Sequence, residues 1–205
     1  MEKKKIGIMG GTFNPIHHGH LILAQTAYEQ FQLDQILFIP NKNPYYKKMH
    51  QDVTEKHRSD MVRLAIEGND AFAFSDVELD RDGTTYTVDT LRILTTENPD
   101  TEYYFIMGAD SLYHFETWKD AQEILKMATL LVATRDSVAV HNIESQIEYL
   151  EEKYEDVDVK IYCLTAPSLE ISSSSLRNWV RKGRSIKYLV PEKVEAYIKE
   201  NGLYL

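Results

Sequence analysis

A short apolar run, KIGIM at 5–9, passes directly into GGTFNPIHHGHL at 10–21: a glycine pair, an Asn-Pro turn, and histidines spaced His-x-Gly-His that open a helical stretch. A Gly-Gly turn after a strand usually just makes a turn, but a buried strand, a glycine turn and a helix in that order also suit an anion site at a strand end. Gly10 and Gly11 let backbone N–H groups approach an anion without side-chain obstruction, and the following helix aims its positive end at the same place. His17 and His20, three apart at the helix start, fall on one face, and Gly19 is expected to leave room for a ligand between them. Both can donate hydrogen bonds to a phosphoryl group whose charge redistributes during transfer. The run is neither a Gly-x-Gly-x-x-Gly fingerprint nor a phosphate loop ending in Gly-Lys-Ser/Thr. Three histidines in four residues could also ligate a transition metal, but no nearby cysteine or carboxylate completes a ligand set, so no metal site is expected.

Further apolar runs rich in branched and aromatic residues recur at 35–40, 72–79, 102–108, 128–134 and 159–164. Between them, apolar residues repeat with helical spacing, as in Leu21, Ala24, Ala27, Tyr28 and Phe31, and in Ile143, Ile147 and Leu150. The alternation predicts an α/β fold, a Rossmann-like doubly wound and mostly parallel sheet. The region 166–205 reads as a small helical extension of one domain spanning 1–205. Within it a serine cluster (172–175) starts one short helix, and Pro191 and Gly202 bracket a second. The segment 40–53, with NPYYKK at 43–48, is long, basic and polar, as an active-site loop expected to close over phosphate would be. A formal net charge of -9 argues against broad binding to nucleic acid or anionic membrane. Cys163 is the single cysteine and cannot form an internal disulfide, which fits a reducing compartment. No stretch approaches the length of a membrane helix or a signal-peptide core, and a cytoplasmic protein is expected.

The run 10–21 resembles the GxFDPxHxGH signature of the HxGH nucleotidyltransferase superfamily, with Gly10, Gly11, Thr12, Phe13, His17 and His20 at matching positions. Asn14 stands where many members have Asp, and His18 occupies the variable position. ISSSSLR at 171–177 resembles the superfamily's ISSTxIR motif, with serine at the threonine position and leucine at the isoleucine position. Three further segments resemble the nicotinate-nucleotide adenylyltransferase family. NPYYKK matches a basic PPHK loop at Pro44 and Lys47, but not at Tyr45 and Tyr46. GTTYTVDTL (83–91) matches a G-x-S/T-Y-T-x-D-T-L run, although a turn and a helix cap at Thr87 also account for it. MGADSLYHFETW (107–118) matches a GADSL…W segment.

The resemblance implies adenylyl transfer from ATP to nicotinate mononucleotide, giving nicotinate adenine dinucleotide and pyrophosphate, with Mg²⁺ arriving on ATP. It assigns ATP to Gly10, Gly11, Thr12, Phe13, His17, His20, Gly108, Asp110, Ser173, Ser174, Leu176 and Arg177, with His17, His20 and Arg177 as the catalytic groups. It assigns the mononucleotide to Asn14, Lys47, Thr85, Tyr86, Asp110 and Trp118, with Trp118 stacking on the pyridine. Transfer to nicotinamide mononucleotide or another phosphate acceptor is the rival enzymatic reading, and a nucleotide-sensing regulator the non-enzymatic one. The intact histidine pair weighs against the regulator. Pyridine-substituent preference and oligomeric state, including a homo-oligomer, stay open.

Overall fold

Each apolar run becomes a strand and each periodic stretch a helix. A computed structural model describes residues 3–42, 53–134, 137–167 and 169–205. In chain order these form β1 (Lys4–Gly11), α1 (His18–Gln30), β2 (Gln35–Pro40), α2 (Glu55–Ile66), β3 (Phe72–Phe74), α3 (Thr87–Glu97) and β4 (Thr101–Gly108). They continue as α4 (Ala109–Tyr113), a 3₁₀ turn (Phe115–Thr117), α5 (Ala121–Met127), β5 (Ala128–Thr134), α6 (Ser137–Lys153), β6 (Ile161–Thr165), α7 (Ser173–Arg181) and α8 (Glu192–Glu200). No described helix is long and apolar enough to cross a membrane. Most of the 40–53 loop, with Pro44, Tyr45, Tyr46 and Lys47, lies outside the described residues.

The strands form one sheet in the order β3-β2-β1-β4-β5-β6, with every neighbouring pair parallel. Parallel neighbours require crossovers, which place helices on both faces. The two-residue strand period then feeds two cores. Met9 and Leu131 pack with Ala24, Met61, Leu176 and Val194 from α1, α2, α7 and α8. Their sequence neighbours Ile8, Leu130 and Val132 pack with Leu91, Leu112, Ile124 and Ile143 from α3, α4, α5 and α6. Each fully buried aliphatic side chain contributes about 1.5–3 kcal/mol relative to exposure.

The strand expected over 72–79 stops at Phe74. Ser75 and Asp76 turn the chain: Val77 N–H donates to Ser75 Oγ at 3.4 Å and Leu79 N–H to the Asp76 carbonyl at 2.7 Å. That turn buries Glu78. At α3 it is Tyr86 that occupies the N-cap position, and Thr87 is the first helical residue. Serine capping of α7 is present, with Ser172 Oγ accepting from Ser175 N–H at 3.1 Å.

The strand order reverses between β1 and β4, and there the sheet opens. The β1–β4 ladder ends at Ile8 opposite Phe105, whereas β1 stays paired to β2 as far as Gly11 and β4 to β5 as far as Gly108. The last turns of β1 and β4 therefore diverge, and a crevice forms outside their carboxyl ends.

Candidate active site

The crevice is a cleft of about 780 Å³. Its walls come from the ends of β1 and β4 (Gly10, Gly108), the start of α1 (His17, Gly19, His20), the start of α7 (Ser172, Ser173, Ser174) and an aromatic flank with Tyr86 and Trp118. Two helix N-termini thus meet in one cleft, each presenting backbone N–H groups that have no intrahelical acceptor.

The histidines are stacked, their ring centroids 3.7 Å apart. His17 caps α1, and its backbone N–H donates to His20 Nδ1 at 3.2 Å. That bond fixes the tautomer: with Nδ1 accepting, a neutral His20 carries its proton on Nε2, the donor it has left to offer the cleft. Burial, and secondarily the neighbouring His17, lower the His20 pKa well below its ordinary value, so the ring is a neutral donor at neutral pH. Phe13 packs edge-on against it at 5.2 Å. Gly19 has a different use from the one expected of it. A Cβ there would lie 3.0 Å from His17 Nδ1 and 3.1 Å from Cε1, so the space beside Gly19 belongs to the His17 ring.

The loop between the glycine pair and the histidines is held from behind. Arg177 Nη1 donates to the Asn14 carbonyl at 2.7 Å, and Ser173 Oγ to the Pro15 carbonyl at 2.9 Å. Arg58 Nη1 donates to the Thr12 carbonyl at 2.9 Å. The two sequence motifs at opposite ends of the chain are therefore hydrogen-bonded to each other. Thr12, Phe13, Asn14 and Leu176 are buried and form no part of the cleft wall, nor do Gly11 and Arg177.

At the other end, Trp118 packs against Phe105 (5.9 Å, nearly perpendicular) and Phe115 (5.6 Å) and contributes to the cleft wall. Thr85 is buried beside it, and among the described residues no hydrogen-bond partner reaches its hydroxyl. The Lys119 ammonium lies 4.7 Å from the Tyr86 ring centroid and 3.0 Å from Asp89 Oδ2. Buried Glu78 accepts from Thr90 Oγ1 at 2.8 Å and from Asn41 Nδ2 at 3.0 Å, tying this flank to the end of β2. Among the described residues no group of three or more His, Cys, Asp or Glu side chains could hold a metal ion.

The cytidylyltransferase-like family model matches residues 8–179. A "Probable nicotinate-nucleotide adenylyltransferase" of Lachnoclostridium phytofermentans is 46% identical over 202 residues, covering 98% of this chain and 100% of that protein. One of the same name from a Thermoanaerobacter species is 43% identical, covering 100% and 96%. The chain belongs to the nicotinate-nucleotide adenylyltransferase family. A Plasmodium falciparum nicotinic acid mononucleotide adenylyltransferase solved with NaAD has the same fold, with a TM-score of 0.79 at 21% identity over 98% of this chain and 97% of that one.

Of the adenylyltransferase-motif residues, the cleft wall gathers Gly10, His17, His20, Thr85, Tyr86, Gly108, Asp110, Trp118, Ser173 and Ser174. Lys47 lies outside the described residues. Sequence reasoning passed over Glu78, Asn41, Phe105 and Lys119, all in the wall. Glu78 carried a signal, an acid inside an apolar run, but was absorbed into a strand that ends four residues earlier. Lys119 stands next to a motif tryptophan and gave none.

Proposed function

We propose that the cleft transfers the adenylyl group of ATP to nicotinate mononucleotide, forming nicotinate adenine dinucleotide and pyrophosphate for NAD biosynthesis. The observation that carries this reading is the stacked His17–His20 pair, with His20 held as an Nε2–H donor where two helix N-termini meet. A polyphosphate suits that end and a flat ring suits the end with Tyr86 and Trp118, both in one continuous cleft. The chain is read as one nucleotidyltransferase domain over 1–205, with 166–205 as an extension, acting in the cytoplasm.

The mononucleotide phosphate is already an anion at neutral pH, so no general base is needed. It attacks the α-phosphorus of ATP in line and pyrophosphate leaves. The chain's work is positioning and charge stabilisation. His20 donates through Nε2–H to the phosphoryl oxygens as charge moves from the attacking to the leaving side. A neutral donor suits this role, because it needs no counter-charge before ATP arrives. The N–H groups at the starts of α1 and α7, with Ser173 and Ser174, hold the rest of the triphosphate, and Arg177 fixes the loop on which the histidines sit. Gly108 and Asp110 meet ribose hydroxyls, and Thr85, Tyr86 and Trp118 hold the pyridine. Lys47 adds a cation to the mononucleotide phosphate. Mg²⁺ would arrive on ATP, held chiefly by its phosphates, and would supply charge neutralisation there.

Pyrophosphate release from ATP should depend on added nicotinate mononucleotide. Release at equal rate without it would point to hydrolysis and contradict the reading. Gly19→Ala supplies a finer test. The added Cβ forces the His17 ring aside by a few tenths of an ångström, so kcat should fall about tenfold with the thermal midpoint little changed. Unaltered kcat would show that the ring's position is not critical.

A further inference from the structure

The loop that carries the histidines is fastened at its centre by a residue 190 positions away. Tyr204 is buried, and its hydroxyl donates to Asn14 Oδ1 at 2.6 Å. The bond is short, and Asn14 is itself 3% exposed, so water does not compete for either partner. Burial pushes the Tyr204 phenol far above its ordinary value despite the nearby guanidiniums of Arg177 and Arg58, which keeps it a donor at every working pH. On the Asn14 side, Phe13 has φ +46°, and on the other side Tyr204 has φ +68°, both in the left-handed region that residues with side chains rarely adopt. Two uncommon backbone conformations therefore flank one buried hydrogen bond.

The same stretch of chain is tied to the loop elsewhere. His18 N–H donates to the Leu189 carbonyl at 3.0 Å, Ser173 reaches the Pro15 carbonyl, and Arg177 the Asn14 carbonyl. Those contacts act on backbone alone. Tyr204 is the one among them that takes hold of a loop side chain, and it lies within the core packed by Val194, Ile198 and Leu203. Three residues after Asn14 comes the His17 N–H, whose direction sets the His20 tautomer.

We infer that Tyr204 is a positioning residue for the reaction: through Asn14 it holds the 12–17 loop so that His17 N–H keeps His20 in the Nε2–H form. The inference rests on the adenylyl-transfer reading for its kinetic consequence but not for its structural one. Tyr204→Phe removes a single oxygen. Its kcat should fall about tenfold while KM for ATP and for nicotinate mononucleotide changes less than about twofold, because the lost term acts in the transition state. In ¹⁵N-histidine spectra of the free protein, His20 should show an accepting Nδ1 in the wild type and a mixture of tautomers in Tyr204→Phe. Val194→Ala, which thins the same core, should lower the thermal midpoint and leave both kcat and the His20 signature alone. An unaltered His20 signature in Tyr204→Phe overturns the inference whatever the activity, as does an equal loss in Val194→Ala. If the signature moves in Tyr204→Phe but the wild type makes no dinucleotide, the fastening stands and the proposed function fails.

Discussion

Replacing His20 with alanine should lower kcat by roughly 10²–10³-fold, about 2.7–4 kcal/mol of transition-state stabilisation, in a protein that remains folded. The magnitude follows from what the side chain does. His20 is a preorganised donor, fixed on its Nδ1 side by the His17 N–H and on its ring face by the stacked His17 imidazole. Alanine removes the Nε2–H donor, and water admitted in its place must reorganise as charge develops. Structural loss is small by comparison. His20 borders the cleft and is not fully buried, and the His17 N–H it releases sits at a helix start, where losing one hydrogen bond costs about 0.5–1.5 kcal/mol. His18→Ala is the matched control, because His18 contributes its backbone N–H to Leu189 and its side chain is no part of the cleft wall. Steady-state kinetics and a thermal melt on both variants check this. Comparable kcat in His20→Ala and wild type would remove the histidine pair from the mechanism.

The second large effect expected is discrimination between pyridine mononucleotides, with kcat/KM for the nicotinate substrate exceeding that for the amide by roughly tenfold to a hundredfold. Thr85 presents a buried hydroxyl that no described residue satisfies, next to Tyr86 and Trp118. A carboxylate offers two accepting oxygens, so every donor at that end finds a partner in either ring orientation. A carboxamide offers one oxygen and an NH₂ group; the Thr85 hydroxyl can accept from that NH₂, but a backbone N–H facing it cannot, and the donor left unpaired costs about 1–3 kcal/mol. The Lys119 ammonium over Tyr86 adds attraction for the anion, reduced by its ion pair with Asp89 and by solvent. Competition between the two mononucleotides at saturating Mg²⁺-ATP measures the ratio directly. Equal values, or preference for the amide, would place the substituent away from Thr85.

The fold was legible because the signals were local and redundant. Strand runs, helical spacing, the serine cap at 172 and the Pro191–Gly202 bracket each fix an element without reference to its neighbours, and a mostly parallel sheet follows from the alternation. Phe72–Phe74 was the exception. The apolar period continues through Val77 and Leu79, but the Ser75–Asp76 turn overrides it with side-chain and backbone hydrogen bonds that periodicity does not register. At the site, motif residues predicted the meeting of 10–21 with 171–177, but not its form. Arg177 reads as a phosphate ligand from its motif, while its observed bond is to the Asn14 carbonyl. Gly19 reads as space for ligand and serves the His17 ring. Tyr204 and Arg58 gave no usable signal, because each acts on a partner far away in sequence and only packing brings the pair together.

Attack of the mononucleotide phosphate on the α-phosphorus of ATP is tested most directly by the position of a phosphorus label. With nicotinate mononucleotide as acceptor, ATP labelled at the α-phosphate should place all transferred label in the dinucleotide, and ATP labelled at the γ-phosphate should place all of it in pyrophosphate. Label from the γ-position in a phosphorylated mononucleotide, or α-label recovered as free AMP in place of dinucleotide, would contradict adenylyl transfer.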